Sequence, residues 1–596
     1  MLYRSRVRIR RLARKVLHSD DTPERIARGI AAGFFACAFP LPGLQIPLSL
    51  LCAWLVRGNK IVAVIPQFIS NGLTMPLITY GQLWLGTRLW PGSSANLNQS
   101  WSVLSAVAVN WSWLEPGHSV RALLDALTAL GSGVVIPLSI GVFLTACVSA
   151  SLSYPLTLVG MVYLQSRRLR RRLERGIPLH SPRGQFLLPP DPLPGEALDA
   201  EAVLRYTTRK AHFVHAESVT LLVDGKQAYP EMLRCIDEAV FSIDMETYIL
   251  HADQTGTRFA AALGRAARRG VKVRLTFDGF GALGLPQAYV DGLLLDGVRV
   301  AVYRPFHMLW KLGFGPMNRR NHRKTLVIDG RISFSGGLNI GDEYAAKEQG
   351  GAGWRDTHVR VDGPEPAREL QQLMKQTWRK CQEFRPPSSG PAQVALAAAV
   401  KTLPSLGVLP ATCENVSVQI LSNREFLQRV RVRRAYLHAI RNAKRYVLIE
   451  NAYFIPDRGI RRALRQAVKR GVMVGVVVAM YSDVQIAAMA SRALYGELLS
   501  SGVRLFEYPI AMLHSKAAVI DDVWAVVSSY NLDHRSLRHN LEAGVFIMDR
   551  SFAHALRDQI LADIRKCREV TPQFHAARAW NQALLESLSY QARYWL

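Results

Sequence analysis

Two short stretches of this chain carry the same reactive side chains at the same spacing. NHRKTLVIDG fills residues 321–330 and LHSKAAVIDD residues 513–522, so His322, Lys324 and Asp329 are matched by His514, Lys516 and Asp521. Seventeen residues beyond each histidine stands an asparagine, Asn339 in SGGLN and Asn531 in SSYNLD. An imidazole can attack phosphorus or protonate a departing alcohol. Lysine and asparagine can stabilise the charge that builds on nonbridging phosphate oxygens. The set fits transfer at a phosphodiester through a phosphohistidine, with the second histidine serving the leaving group and then the acceptor. Such a site supplies its own positive charge, so neither a cofactor nor a metal is expected. Metal ligation by His322 or His514 is disfavoured further, because neither has a companion histidine or carboxylate at short ligand spacing. One histidine alone reads equally well as a buried structural group. The repetition of all the residue types at one spacing argues for chemistry.

Other polar residues are candidates for support. Asp356 in WRDTH and Glu542 in HNLEAG can each hold the second ring nitrogen of a catalytic histidine. Glu246 and Glu450, near predicted strand ends, can pair with a catalytic residue or with an arginine. Arg319, Arg320 and Arg323 crowd the first motif, and Arg320 and Arg323 are candidates to bind a substrate phosphate. Asp278 and Asp483 read as turn or rim residues. Each of these carboxylates fits a purely structural role as well.

The elements that must position these groups recur. The pattern predicts strand 218–223, helix 228–240, strand 241–249, helix 256–269 and strand 271–278. It returns as helix 427–443, strand 445–451, helix 458–470 and the strand VMVGVVV after Gly471. Arg269-Gly270-Val271 matches Arg470-Gly471-Val472, which points to an internal duplication. Each catalytic motif is expected on a strand, where alternation puts His and Lys on one face. The Asp then falls at the strand end, in the turn or in support of the site. Two histidines so distant in sequence must meet where the two halves join.

The bulk numbers narrow the substrate. A chain of 596 residues suggests three to five structural units. Its net charge of +28 favours anionic partners, while 49% hydrophobic and 20% charged residues favour a membrane over a soluble nucleic-acid binder. Seven scattered cysteines support neither a disulfide framework nor a thiolate zinc site. No cleavable signal peptide is evident. Runs without charge fill 29–56, 61–84 and 133–164. Pro40, Pro42 and Pro47 should break the first, the second reads as a broken or re-entrant helix, and the third as one tilted helix or a hairpin broken near Ser151–Pro155. Trp101, Trp111 and Trp113 fit a membrane interface. RSRVRIRRLARK at 4–15 and QSRRLRRRLERG at 165–176 flank the region, so both flanks are expected in the cytoplasm and the number of crossings even. The division expected is a helical membrane domain 1–176, a Pro-rich linker 177–198, a first catalytic half 199–384, a connector 385–414, a second half 415–570 and an amphipathic C-terminal helix 571–596.

Over roughly 215–570 the chain resembles bacterial cardiolipin synthases of the phospholipase D superfamily. The resemblance rests on DMETYILHAD, RRGVKVRLTFDGFG, NHRKTLVIDGRISFSGGLNIGDEY, WRDTHVRVDGP and EYPIAMLHSKAAVIDDVWAVVSSYNLDHRSLRHNLEAG. It implies an α/β fold, a duplicated phospholipase D-type sandwich of mixed sheets flanked by helices, here preceded by an α-helical membrane domain. It also implies a phosphatidyltransferase that joins two phosphatidylglycerol molecules, or a related donor and acceptor, with release of a small alcohol. His322 would then be the nucleophile and His514 the general acid, though the residues alone leave the reverse open, with Lys324, Lys516, Asn339 and Asn531 around the phosphate. The partner expected is an anionic phospholipid in the membrane, with no nucleic acid. The alternative is hydrolysis of a phosphodiester, with water as acceptor. RIARGIAAGFFACAFPLPGLQIPLS and RGNKIVAVIPQFISNGLTMP resemble a second family, a bacterial membrane-associated domain without an assigned function. That family often has Asn-Pro where this chain has Asn71-Gly72. Together these features place the chain in a bacterial inner membrane, multi-pass, with its catalytic part facing the cytoplasm.

Overall fold

The structure, a computed structural model, describes residues 23–40, 44–69, 74–90, 125, 128, 131–174, 188, 205–207, 212–305, 318–385, 411–423 and 430–594. Trp101, Trp111 and Trp113, most of the linker and the interior of the connector lie outside the described residues. Two compact units are present, Met1–Ile177 with Arg578–Ser587, and Pro178–Ala577 with Leu588–Leu596.

The first unit is helical. Its first apolar run is broken, as its prolines require, into the helices Pro23–Cys37 and Gln45–Leu55. The second run is broken as well, into Lys60–Ala63, a 3-10 turn Ile65–Phe68 and the helix Thr74–Leu89. The third is one continuous helix, Ser132–Glu174, that contains Pro137 and Pro155. Backbones approach closely where it crosses Thr74–Leu89: a Cβ on Gly86 would meet Pro137 O at 1.7 Å, and one on Gly141 would meet Gln82 O at 1.9 Å. Among the described residues only Ser132–Leu164 is long and apolar enough to cross a membrane. The expected multi-pass arrangement is therefore overturned. Spanning needs about 20 apolar residues, and the prolines cut the first run into pieces of 15 and 11. The even crossing count, and the cytoplasmic placement that followed from it, fall with that arrangement. Within this unit Ala583, from the C-terminal helix Trp580–Gln591, packs with Ala27, Leu158 and Val162.

The second unit is a duplicated α/β structure. Its first half holds strands β1 (Val214–Val223), β2 (Ser242–Thr247), β3 (Lys272–Asp278), β4 (Arg299–Tyr303), β5 (Thr325–Ile328), β6 (Ile332–Gly336), β7 (Thr357–Asp362) and β8 (Gln382–Glu383). Its second half holds β9 (Thr412–Asn423), β10 (Tyr446–Asn451), β11 (Met473–Ala479), β12 (Arg504–Tyr508), β13 (Lys516–Ile520), β14 (Trp524–Ser528), β15 (Glu542–Met548) and β16 (Arg568–Glu569). The hydrogen-bonded order is β16-β12-β11-β10-β13-β14-β15-β9-β1-β7-β6-β5-β2-β3-β4-β8. Read outward from the central β1–β9 pair, the two halves give the same order, which is the duplication made visible. In each half the three strands β2-β3-β4 or β10-β11-β12 are parallel and the rest antiparallel.

The sequence explains the parallel strands. VGVVV is a continuous run without a polar side chain because both faces of a central strand are covered, whereas VRLTF alternates, with Arg274 half-buried and Thr276 buried. Gly270 (φ +92°) and Gly471 (φ +88°) end the preceding helices in the left-handed region, so the Arg-Gly-Val repeat marks the helix-to-strand turn in both halves. Three buried clusters follow. Two lie between a sheet and its own helices. The third joins the halves, packing Val219, Val327 and Val359 with Leu448, Val519 and Val527, together with Leu370 and Phe552 from two helices. One expectation is corrected here. The histidines are not inside strands: β5 begins at Thr325 and β13 at Lys516. His322 and His514 instead follow isolated bridges, Asn321 to Leu541 and Leu513 to Arg355.

Candidate active site

Those two bridges build the site. His322 N–H donates to Leu541 O at 3.0 Å, and Leu541 N–H to Arg320 O at 2.8 Å. In the mirror position His514 N–H donates to Arg355 O at 2.7 Å, and Arg355 N–H to Met512 O at 2.9 Å. Each motif is thus stitched to the opposite half, at the residue just before a carboxylate. That register delivers Glu542 Oε2 to within 3.1 Å of His322 Nδ1, and Asp356 Oδ2 to within 2.6 Å of His514 Nδ1. With Nδ1 engaged in both, Nε2 is the ring nitrogen left for chemistry. Ser529 Oγ–H donates to Glu542 Oε2 at 2.5 Å, and Thr357 N–H to Asp356 Oδ1 at 2.7 Å, so both carboxylates are themselves held.

Both lysines fold back on their own motifs. Lys324 Nζ donates to His322 O at 2.7 Å and lies 5.2 Å from the Tyr248 ring centroid. Lys516 Nζ lies 2.8 Å from His514 Nδ1 and also donates to His514 O. Rings wall the histidines: Tyr248 stands 5.0 Å from His322, and Tyr344, Trp354 and Tyr453 stand 5.2, 5.8 and 6.5 Å from His514. The residues by which sequence reasoning undersold the site are these aromatics and Ser529. The tyrosines Tyr248 and Tyr453 were signalled by their place at matching strand ends; Ser529 carried no signal.

The two asparagines separate in role. Asn339 is fully committed, accepting from Ile249 N–H at 3.1 Å and donating to the Tyr344 hydroxyl at 2.6 Å. Asn531 is buried with its Oδ1 unpartnered. Asp329 and Asp521 are not brought to the histidines. Asp329 accepts from the backbone N–H of Val240, Phe241 and Ser242, and Asp521 from those of Lys444, Arg445 and Tyr446. Those nitrogens mark the start of β2 and of β10, whereas the site lies at the strands' other end. The motif's Asp is a tie between adjacent strands at a left-handed turn (φ +49° and +56°).

Neither candidate arginine is offered freely to substrate. Arg323 is buried, donating to Thr377 Oγ1 at 3.0 Å, and its charge faces Glu246. Arg320 lies 3.6 Å from Asp278 and stacks on Phe280, its centroid distance 5.5 Å. Glu450 pairs with Arg355 at 3.4 Å, beside the stronger Arg355–Asp563 contact at 2.7 Å. In both halves an arginine from the site wall faces the buried glutamate near the end of the first parallel strand, and burial still raises both carboxyls. Arg323 does so from its own motif, and Arg355 from across the junction. Asp278 accepts from the N–H of Phe280 and of Asn321 at 2.8 Å each, and Asp483 accepts from the Tyr453 hydroxyl at 2.5 Å. Outside the site, His251, Asp253 and Glu343 bring ligand-type atoms within 4.8 Å of one another, but Asp253 already caps a helix through Gly256 N–H at 2.8 Å.

Burial dominates the electrostatics. His322 is 7% and His514 4% exposed. Burial, reinforced by Lys324 and Lys516 and opposed by Glu542, takes His322 down to about 4. Burial and the two lysines push His514 well below its ordinary value. Burial lowers Lys516 to about 8 and holds Lys324 well below its ordinary value. Burial would raise Glu542, but His322, Lys324 and Ser529 outweigh it and leave the carboxyl below its usual range. Asp356 goes up, because burial exceeds the pull of Lys516. The two dyads thus differ in direction: the Glu542 carboxyl is lowered by its neighbours and the Asp356 carboxyl is raised by burial. Burial is the largest cause for all four groups, and Lys516 lowers Lys324 and both imidazoles besides.

Residues 232–378 and 436–564 match the family described as cardiolipin synthase, phospholipase D-like domain. Residues 6–170 match a family of uncharacterized proteins conserved in bacteria. The chain is 36% identical over 384 residues to cardiolipin synthase B of Escherichia coli, covering 62% of this chain and 86% of that protein. It is 32% identical over 369 residues to a cardiolipin synthase of Halalkalibacterium halodurans, covering 62% of this chain and 70% of that protein. Among solved structures, phosphatidylserine synthase of Haemophilus influenzae superposes with a TM-score of 0.50 at 14% identity, over 65% of this chain and 98% of that one, a likeness of fold.

Proposed function

Since the chain belongs to the phospholipase D superfamily, in its cardiolipin-synthase-like branch, we propose that the second unit is a phosphatidyltransferase that joins two phosphatidylglycerol molecules through a phosphohistidine. The observation that carries this reading is the pair of crossed dyads, His322–Glu542 and His514–Asp356, with the two buried lysines Lys324 and Lys516 beside the histidines. Helix Ser132–Leu164 supports association with the membrane that holds such a substrate. The two halves are assigned to 199–384 and 415–570.

The chemistry follows from the dyads. Glu542, held ionised, keeps the His322 proton on Nδ1 and leaves the Nε2 lone pair for phosphorus. As the N–P bond forms, the bond from phosphorus to the glycerol headgroup breaks, and His514 Nε2–H protonates the departing oxygen. Lys324 and Lys516 stabilise the charge on the nonbridging oxygens, with Asn531 the available amide. Glycerol leaves. His514, now neutral at Nε2, takes the proton of a hydroxyl on a second phosphatidylglycerol. That oxygen attacks phosphorus, the N–P bond breaks, and His322 is restored. The substrate's negative phosphate raises both imidazoles on binding, which supplies His514 with the proton that the empty pocket disfavours.

The test is to give the purified chain vesicles of phosphatidylglycerol and resolve products by mass. Cardiolipin plus glycerol is the expected outcome, whereas phosphatidic acid without cardiolipin means that water is the acceptor. Substrate labelled in its phosphate should leave label on His322 in a His514→Ala chain; label on His514 in a His322→Ala chain reverses the roles.

A further inference from the structure

The duplication has placed matching apolar side chains on the surface beside both histidines. β3 and β11 correspond at a constant offset of 201 positions, and the same offset carries Phe280 onto Tyr481 and Leu283 onto Val484. All four are exposed: Phe280 46%, Leu283 57%, Tyr481 58% and Val484 40%. An aromatic and, three residues on, an aliphatic side chain therefore leave each parallel strand at its C-terminal end. Ile486 and Ile510 add exposed apolar surface to the second of these lips.

Both lips adjoin the site. Phe280 N–H donates to Asp278 Oδ1 at 2.8 Å, and Arg320, two residues before His322, stacks on the Phe280 ring. Gly281 lies against the backbone of Tyr248, where a Cβ would meet the carbonyl oxygen at 2.2 Å, and the Tyr248 ring faces His322 at 5.0 Å. On the other side Asp483, between Tyr481 and Val484, accepts from Tyr453, whose ring stands 6.5 Å from His514. That carboxylate is thus directed at a site residue, while its apolar neighbours stay exposed. The surroundings of the first lip are cationic: Arg304 Nη1 donates to Arg319 O at 3.3 Å, and Arg535 Nη1 to Asn318 Oδ1 at 3.3 Å.

We propose that these paired lips, Phe280 with Leu283 and Tyr481 with Val484, seat the mouth of the site on an anionic lipid bilayer surface. The proposal rests on the lipid-transfer reading and deepens it. Exposed apolar residues grouped at a functional mouth mark an interaction surface rather than scattered surface chance. A bilayer fits better than a folded partner, because the two lips repeat the same residue classes on both sides of a pseudo-twofold mouth. A featureless plane meets both equally; an asymmetric protein does not. Aromatic and aliphatic side chains beside arginines are suited to the boundary between acyl chains and anionic headgroups. The histidines are buried, so a headgroup must leave the plane of the bilayer to reach them, and a seated mouth shortens that path.

The test uses the full chain and two substrates. The triple variant Leu283→Ser, Tyr481→Ser, Val484→Ser touches none of the reacting groups. Its turnover of phosphatidylglycerol in vesicles is expected to fall at least tenfold. Its turnover of a short-chain, monomeric phosphatidylglycerol should stay within about threefold of the parent. Equal losses on both substrates would overturn the proposal. A second readout is independent of turnover: a clickable azido residue at position 283 or 484, coupled to a fluorophore and exposed to vesicles bearing lipid-attached quenchers. Quenching at 283 and 484 with phosphatidylglycerol vesicles, and none at position 295 (52% exposed, at the other end of the strands), is expected. Quenching no stronger at 283 and 484 than at 295, or equal quenching with purely zwitterionic vesicles, sinks it. Should the parent turn over neither substrate, the functional reading fails while the quenching still decides the surface.

Discussion

Glu542 Oε2 lies 3.1 Å from His322 Nδ1, although the two residues belong to opposite halves of the duplication. The reciprocal contact, Asp356 to His514, runs the other way at 2.6 Å. Neither half therefore holds a complete dyad. The crossing is enforced by backbone, since the hydrogen bond from His322 N–H to Leu541 O fixes the register that brings Glu542 in. A composite site of this kind ties activity to the packing of the halves.

The first prediction concerns that contact. Glu542→Gln keeps the shape but can no longer hold the His322 proton on Nδ1 by charge. A wrong tautomer presents N–H rather than a lone pair to phosphorus. A loss of about 10²–10⁴ in kcat is expected, by analogy with carboxylate removal from other histidine dyads. Phosphohistidine formation should fall in parallel, measured by label trapping. Near-normal trapping in a folded Glu542→Gln chain would remove the carboxylate from the mechanism.

The second concerns pH. His322 must be neutral to attack, and burial sets it at about 4, so kcat/KM should rise through that value. Lys516 must be charged, and burial sets it at about 8, so kcat/KM, which already declines at lower pH as free His514 loses its proton, should show a separate, steeper alkaline limb above that value. Both signs follow from which form is active. A Lys516→Arg chain cannot lose its charge in this range, so whatever activity it keeps should lack the alkaline limb. An alkaline limb that stays at about 8 in that chain assigns it to another group.

The third separates chemistry from architecture. Asp329 ties three backbone nitrogens at the start of β2, far along β5 from His322. Asp329→Ala removes those acceptors; the Val240 and Phe241 bonds are exposed and the Ser242 bond is half-buried, so each lost bond costs about 0.5–1.5 kcal/mol. The thermal midpoint should drop while kcat of the folded fraction stays within about threefold. His322→Ala should do the reverse, abolishing turnover with little change in Tm. Loss of kcat without loss of Tm in Asp329→Ala would return the aspartate to the reacting groups.

How far the sequence could be read depended on whether a feature repeats. His322, Lys324, His514 and Lys516 were legible because one spacing occurs twice, and the parallel strands because apolar runs follow matching Arg-Gly-Val turns. The direction of the dyads was not legible. Asp356 and Glu542 could be named as carboxylates, but their crossing depends on a bridge between distant segments, Asn321 with Leu541 and Leu513 with Arg355. The surroundings of Arg320 and Arg323 were not legible, because adjacency in sequence to a histidine says nothing about burial; both are inside, paired with Asp278 and facing Glu246. The apolar front misled through its prolines. Pro40, Pro42 and Pro47 read as breaks while the basic flanks imply an even number of crossings, and only Ser132–Leu164 among the described residues keeps the length.

The last prediction addresses the buried charges behind the site. Arg355 meets Asp563 at 2.7 Å and Glu450 at 3.4 Å, and one guanidinium cannot hold both carboxylates ionised in so dry a place. Burial would raise Asp563, but Arg355 outweighs it and keeps that carboxyl below its usual range. Burial pushes Glu450 up to about 8 despite Arg355. Glu450 therefore keeps its proton in the folded chain between about pH 4.5 and 8, while it would lose it when unfolded. The folded state binds the extra proton, so this group's contribution falls as pH rises through that window. Glu450→Gln imitates the protonated form and removes the slope; its Tm should match the parent near pH 5 and exceed it near pH 8. Asp563→Asn removes the nearest carboxylate from Arg355 and leaves it Asp224 at 3.3 Å and Glu450 at 3.4 Å, so it should lower stability by less than the ~3–5 kcal/mol of a charge left wholly unpaired. Thermal melts of both variants at the two pH values check the assignment. A Glu450→Gln chain less stable than the parent near pH 8, or an Asp563→Asn chain as stable as the parent, would mean that Glu450 and not Asp563 carries the charge.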